Sequence, residues 1–333
     1  MTVVKSVLRS IGACVLTSSA LLASAQTQLK LASVYPEDSF HVQNLRKFAD
    51  DVDRATAGKL KIEVHSNASM MKAAEIYPAV REGKVEAGEV IMSSLSKDIP
   101  LFAIDTLPFI VTGYADAKSM WEASREASQK AMDKQGVTLL YTVPWQPQNL
   151  YSVRKIEKAD DFKGLRLRHY SPTTERIAQL LGATPVVIPV QLDEMTKAIS
   201  AGQLDLMLTS SWTGVQTKSW SKMPYYYKVS AWIPKNVVFV NKAKFDSLPA
   251  DQKAAVVRAA QMAEVRGWAL SQSLDEKLEA ELAANRTTVT RLEPGVLRFF
   301  DRVGEQISKD WIKQAPPSDV RVLTSYMIRR STK

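Results

Sequence analysis

Short apolar runs alternate with amphipathic runs along this chain, and that alternation constrains the fold more than any other feature. Residues 29–34, 60–64, 85–92 and 137–143 have the length and apolar content of strands. Residues 42–56 carry Leu45, Phe48, Val52 and Ala55 on one helical stripe, with Gly58 just beyond. Residues 73–82 form a second helix, stopped at Gly83. The alternation resumes further on. Residues 165–168 are a short strand, Ser171-Pro172 opens a helix to Leu181, and 185–190 is a strand. A helix over 192–201 stops at Gly202, and a strand over 204–208 follows. Repeated strand–helix pairs predict an α/β fold.

Two features predict two lobes. Residues 249–285 are dominated by Ala, Glu, Lys, Gln and Leu, with Gly267 the lone glycine. At ~1.5 Å per residue, such a helix extends roughly 50 Å, more than one domain of this size. It should therefore span both lobes. The apolar strand at 237–240 should cross between them, and a final helix should cover 294–313. The expected division is 26–150 plus about 236–275 in the first lobe and 151–235 plus about 276–333 in the second.

An internal echo fits that plan. Arg81-Glu-Gly83-Lys-Val85-Glu86 and Ser200-Ala-Gly202-Gln-Leu204-Asp205 share a helix end, a glycine, an apolar residue and an acid. Each enters an apolar strand that ends in a serine pair, Ser93-Ser94 and Ser210-Ser211. Two readings stand: ordinary helix–strand turns, or two similar lobes presenting strand ends to a shared cleft.

The N-terminus predicts export. Residues 1–10 carry Lys5 and Arg9 and no acid, 11–23 are mostly apolar, and Ala23-Ser24-Ala25 is a small-residue cleavage site. That is a signal peptide over 1–25, too short and too rich in Ser and Thr for a membrane span. The expected compartment is the periplasm. The single cysteine, Cys14, lies in this leader, so a Cys nucleophile or thiolate metal site is excluded from the exported chain. No other apolar run is long enough to span a bilayer, so the exported chain should not be membrane-embedded. The net charge of +9 is spread and mixed with acids, which argues against nucleic acid. It suits an anionic ligand.

Catalytic signals are weak. His41, His65 and His169 have no zinc spacing. His65 reads as an edge residue, and His41 sits in a loop before a helix. No Gly-x-Ser-x-Gly, Walker loop or Gly-x-Gly-x-x-Gly occurs, and 13 glycines leave no phosphate-cradling loop. Asp160-Asp161 lie in a charged, solvated stretch. No metal and no cofactor is expected, and the chain does not read as an enzyme.

One cation does point to a site. Arg166 and Arg168 share a face of a short strand, and Arg168 sits just before the helix opened by Ser171. A guanidinium fork beside free helix N–H groups can hold a carboxylate. The alternative is a surface arginine paired with an acid. Aromatics gather in the same half: Trp145, Tyr170, Trp212 and Trp232 among them. Trp145 precedes Gln148 and Asn149 in a loop after a strand, and Trp212 follows Thr209-Ser210-Ser211 at another strand end. Aromatic walls with a few polar groups are the usual make-up of a small-molecule site.

Ala159-Asp-Asp161-Phe-Lys163-Gly164-Leu-Arg166-Leu-Arg168 resembles a signature of the solute-binding proteins of tripartite ATP-independent periplasmic (TRAP) transporters, of the dicarboxylate type. Ala198-Ile-Ser-Ala-Gly202-Gln-Leu-Asp205 and the stretch from Pro234 to Asn241-Lys242 are similar to further family segments. The resemblance implies two α/β lobes joined by crossing strands and a long helix, closing on ligand by hinge motion. It implies that Arg168 binds a ligand carboxylate. It also implies delivery to a two-subunit membrane permease driven by an ion gradient.

Thr209 stands where many members have asparagine, and Gln146-Pro-Gln148-Asn149 stands where some carry a second arginine. The site is therefore expected to take a monocarboxylate, with Gln148, Asn149 or Thr209 bonding a neighbouring keto or hydroxyl oxygen and Ser210 as a further ligand contact. Trp145, Trp212, Trp232 and Tyr170 are expected to wall an aromatic or apolar tail, such as an aryl 2-oxo or 2-hydroxy acid. Phe40, Glu75, Met92 and Asn236 are the expected contacts from the opposing lobe or hinge. The rival readings are a ligand sensor for a receptor ectodomain and a secreted hydrolase or isomerase.

Overall fold

A computed structural model describes residues 26–331; the leader lies outside the described residues. In chain order the elements are β1 (Thr27–Ala32), α1 (Phe40–Ala55), β2 (Leu60–His65), α2 (Ala73–Arg81), β3 (Ala87–Ile91), α3 (Tyr114–Lys134), β4 (Val137–Pro144), β5 (Asn149–Ser152), β6 (Arg166–His169), α4 (Pro172–Leu181) and β7 (Thr184–Val187). Then follow α5 (Leu192–Ser200), β8 (Leu206–Thr209), α6 (Ser211–Gln216), β9 (Tyr225–Tyr227), β10 (Lys235–Asn241), α7 (Lys242–Asp246), α8 (Ala250–Ala284), β11 (Thr288–Thr290), α9 (Pro294–Gln314) and α10 (Pro317–Ser331).

The strands form two sheets of matching design, ordered β2-β1-β3-β10-β4 and β11-β9-β5-β8-β6-β7. In each, three parallel strands are followed by an antiparallel one, β10 in the first and β5 in the second. Both antiparallel strands arrive directly from the other sheet. Residues 145–148 carry the chain from β4 to β5, and 228–234 carry it back from β9 to β10. The fold is thus the two-lobe α/β arrangement with crossing strands.

The sequence echo has a structural cause. Gly83 and Gly202 both adopt left-handed φ, +71° and +62°, where the chain leaves α2 and α5. The acid that follows then ties its strand to the parallel neighbour. Glu86 accepts from the Lys30 amide at 2.9 Å, and Asp205 accepts from the Arg166 amide at 2.9 Å. The same residue pattern builds the same joint in each lobe.

Helix α8 spans both lobes. Its first half packs on α1 and β4, and its second on α6 and β11. Ala255, Ala259, Ala260 and Ala263 bring its backbone close, and Gly267 faces the β4 residue Val143. α9 packs on α4 of the second lobe, with Phe300 against Phe162. α10 returns to α3, where Tyr326 Oη donates to the Ile110 carbonyl at 3.0 Å. No helix among the described residues is long and apolar enough to cross a membrane.

Candidate functional site

The signature segment around residues 159–168 is mostly scaffold. The Asp161 carboxylate accepts from the Glu157 and Lys158 amides, 2.8 and 3.0 Å, and closes a turn. Phe162, Leu165 and Leu167 enter the core. Gly164, at φ +73°, turns the chain into β6 and donates to the Gly182 carbonyl. Arg166 chelates the Asp205 carboxylate through Nε and Nη2, at 2.9 and 2.7 Å. The arginine paired with an acid is therefore Arg166.

Arg168 has no such partner among the described residues. It is 3 % exposed. Its Nε donates to the Ile188 carbonyl and its Nη2 to the Pro189 carbonyl, both at 3.1 Å. Those acceptors exist because β7 ends at Val187, short of the expected 190, which turns two carbonyls away from the ladder. Burial draws the guanidinium below its ordinary range, to about 10, so it stays charged at neutral pH. A buried cation held by carbonyls, with Nη1 left over, is poised to accept an anion.

Arg168 opens on a cavity between the lobes. It is small: the space open to the centre of a water molecule is about 40 Å³, a few times what one water needs. From the first sheet come Tyr35, beyond the carboxyl end of β1, and Ile91, the last residue of β3. From the second come Arg168, Tyr170, Thr209, Ser210, Trp212 and Thr213, at the carboxyl ends of β6 and β8. Trp145 and Gln148 from one crossing and Pro234 from the other join them. Val190, Leu192 and Met195 close the apolar side. This is where ligands sit in open α/β sheets, beyond strand carboxyl ends where the topology switches.

The walls are aromatic. Trp145 lies 5.5 Å from Trp212 and 5.1 Å from Tyr35, centre to centre. Its indole N–H donates to Asn236 Oδ1 at 2.8 Å. The Arg168 guanidinium lies over the Tyr170 ring. Burial pushes the Tyr170 phenol up to about 12, so it is neutral and can donate.

Seven expected residues line the cavity: Arg168, Trp145, Gln148, Thr209, Ser210, Trp212 and Tyr170. Six do not. Asn149 is taken up by structure: its Oδ1 accepts from the Val229 and Ser230 amides, and its Nδ2 donates to Tyr226 Oη. Trp232 is fully buried behind Tyr170 and does not reach the cavity. Phe40 packs behind Trp145 at 5.5 Å, and Asn236 lies beneath the same indole. Met92 begins the turn after β3 and points into the core, so its neighbour Ile91 lines the cavity instead. Glu75 is exposed in the first turn of α2, where it accepts from the Lys72 amide.

Two further expectations are corrected. The N-terminus of α4 is capped, since Ser171 Oγ accepts from the Thr174 amide, and residues 171–174 do not line the cavity that Arg168 faces. His41 lies inside α1 and is buried, because that helix begins at Phe40. Tyr35 and Ile91 were missed, although their places at strand ends were a usable signal, and Thr213, in α6, was missed as well. Leu192 and Met195 were missed because they read as the apolar stripe of an ordinary helix, and Val190 because it read as the last residue of a strand.

The fold and cavity define a two-lobe receptor that encloses a small solute. Over residues 31–314 the chain matches the model of the bacterial extracellular solute-binding proteins, family 7 (DctP), and it belongs to that family. A Bordetella pertussis extracytoplasmic solute receptor binding pyroglutamic acid is 37% identical, with a TM-score of 0.87 over 90% of this chain and 99% of that one. A marine metagenome TRAP solute-binding protein specific for pyroglutamate is 30% identical, with the same TM-score over 91% of this chain and 99% of that one. A solute-binding protein of Albidiferax ferrireducens is 25% identical over 305 residues, 87% of this chain and 88% of its own. The family is one of transport receptors, not enzymes; its members bind small carboxylates and work with membrane permease components.

Proposed function

We infer that this chain is the solute receptor of a TRAP transporter for a compact organic monocarboxylate. Arg168 holds the carboxylate, and pyroglutamate is the first acid to test. The observation that carries this reading is the buried guanidinium, without an acid partner among the described residues, facing a small cavity between the lobes. Every other polar lining group is neutral at pH 7: Tyr35, Gln148, Tyr170, Thr209, Ser210 and Thr213. The lining has no second cation for a dicarboxylate and no acid for an ammonium group. The Trp145 and Trp212 rings suit a flat ring. The relatives that bind pyroglutamate support the same class.

A second reading, an aryl 2-oxo or 2-hydroxy acid, is favoured by the aromatic walls and opposed by the cavity's size. Gln148, Thr209 and Ser210 then bond the oxygen next to the carboxylate. Titration calorimetry with pyroglutamate, phenylpyruvate, glutamate, succinate and gulonate separates these. Tight binding of succinate alone would refute the monocarboxylate assignment, and tight binding of gulonate alone would refute both the compact-ring and the aryl readings.

The first lobe comprises 26–144 with β10 and the start of α8, and the second comprises 149–227 with the end of α8, β11 and α9. The packing of α10 on α3 supports moving it to the first lobe. Closure bends the crossings at 145–148 and 228–234. Export to the periplasm and hand-over to a membrane permease complete the reading. A receptor-ectodomain partner is the alternative destination, and reconstituted uptake with the permease tests between them.

A further inference from the structure

Beneath the cavity lies a chain of buried polar groups, Ser33, Glu89, Asn236 and His41, none of which lines it. Ser33 Oγ donates to Glu89 Oε2 at 2.7 Å. Asn236 Nδ2 donates to Glu89 Oε1 at 3.0 Å. On its other side, Asn236 Oδ1 accepts from Tyr35 Oη at 3.2 Å and from Trp145 Nε1 at 2.8 Å. Glu89 and Asn236 are 1 % and 0 % exposed. His41 Nδ1, 3.3 Å from Glu89 Oε1, completes the set.

An amide has one oxygen with two lone pairs and one NH₂ group, so its orientation decides what it can hold. The Glu89 carboxyl oxygens accept from the Asn236 NH₂ and from Ser33 Oγ. Glu89 therefore draws the Asn236 NH₂ toward itself and leaves Oδ1 facing the two aromatic donors. One oxygen then fixes two walls of the cavity. Those walls come from different places, Tyr35 from beyond β1 and Trp145 from the crossing after β4. Asn236 stands on β10 opposite Ile91 and Val143, beside the second crossing.

Resting on the reading of the cavity as the ligand site, we propose that Glu89 and Asn236 are its positioning residues. The Glu89 carboxylate sets the direction of the Asn236 amide, and that amide presets the Tyr35 and Trp145 walls. Walls fixed in the free receptor lower the ordering cost of binding.

The test compares Asn236→Leu with the reciprocal exchange Glu89→Gln/Asn236→Asp. Leucine removes the shared acceptor and leaves two buried donors unpaired. The exchange swaps donor and acceptor between the two positions but keeps an oxygen facing Tyr35 and Trp145. Pyroglutamate affinity is measured by calorimetry. The indole ¹⁵N–¹H resonance of Trp145, identified with Trp145→Phe, is followed in the ligand-free receptor. Asn236→Leu should weaken binding roughly 10- to 100-fold and move the indole resonance upfield. The exchange should restore both.

If Asn236→Leu does not fold, the exchange alone decides. A folded exchange variant that loses binding, or whose Trp145 resonance shows no hydrogen bond, overturns the proposal. So does wild-type affinity in Asn236→Leu while Arg168→Ala abolishes binding. That outcome leaves the site intact and rejects the relay alone. Failure of wild-type receptor to bind any acid tested, or full binding by Arg168→Ala, rejects the site and the relay together.

Discussion

The Arg168 guanidinium carbon lies 4.7 Å from the centre of the Tyr170 ring. The ring covers one face of the cation, and the Ile188 and Pro189 carbonyls hold its edge. An arginine so fixed has little freedom to lose on meeting an anion. Stacking of this kind contributes about 0.5–2 kcal/mol and keeps a desolvated charge tolerable.

Replacement of Arg168 should therefore affect binding far more than folding. Losing a desolvated Arg–carboxylate pair costs about 2–5 kcal/mol. Arg168→Ala should weaken binding roughly 30-fold to several thousand-fold. Arg168→Lys should also lose at least about tenfold, since one ammonium cannot serve two carbonyls and a bidentate acid. Calorimetry reads the affinity. A thermal melt of the free variants should stay close to wild type, because an unpaired buried charge is removed along with its two hydrogen bonds.

A buried lysine–aspartate pair fixes the crossing strand. Lys235 Nζ meets the Asp105 carboxylate with both side chains buried, and the Lys235 amide donates to Asp105 Oδ2 at 2.6 Å. Burial pushes the Asp105 carboxyl up, and Lys235 opposes it. Lys235→Met should destabilise by about 3–5 kcal/mol, because it strands a buried carboxylate. Lys235→Met/Asp105→Leu should recover much of that loss. Urea denaturation of the three proteins checks the coupling.

Gly267 shows how packing reverses a propensity. Alanine in an exposed helix interior gains about 1 kcal/mol over glycine. Here a Cβ would lie 2.5 Å from Val143 Cγ2 and 2.9 Å from Asn44 Nδ2. Gly267→Ala should thus destabilise by about 1–3 kcal/mol. Adding Val143→Ala, which removes the nearer clash, should return part of it. Chemical denaturation of the single and double variants measures this.

Asp275 gives the fold a pH dependence. Burial raises its carboxyl to about 6, with Ser211 opposing and Glu279 adding to the rise. The unfolded carboxyl titrates near its ordinary value of 3.8. Between these values the folded state holds the extra proton, so its stability falls as pH rises through about 4 to 6. Asp275→Asn should flatten that slope and raise stability at pH 7 by about 1 kcal/mol, after discounting for its partial exposure. Melts from pH 4 to 8 read the difference; a stability that rises for wild type across this window relative to the variant would contradict the sign.

Much of the fold was written locally. Strand–helix alternation, the stops at Gly83 and Gly202 and the cap at Ser171 act over a few residues, so their elements appear within one to three residues of expectation. The Gly-x-x-acid echo was equally readable, because Glu86 and Asp205 each bond a strand that their own turn brings alongside. Helix α3, the three-residue strands β9 and β11, and α10 were not read. The short strands exist only through their pairing partners, and α10 only through α3 and Ile110.

For the site, the sequence by itself supplied the residue types and the strand ends, and so reached Arg168, Trp145, Gln148, Thr209 and Trp212. Only the tertiary structure decided which polar side chains stay available. Asn149 and Asn236 look alike as a sequence pattern, yet one is consumed by the Val229 and Ser230 amides and the other by two aromatic donors. Those partners lie 80 or more residues away. A hydrogen-bonding group can satisfy only a fixed number of neighbours, and the fold chooses which neighbours reach it first.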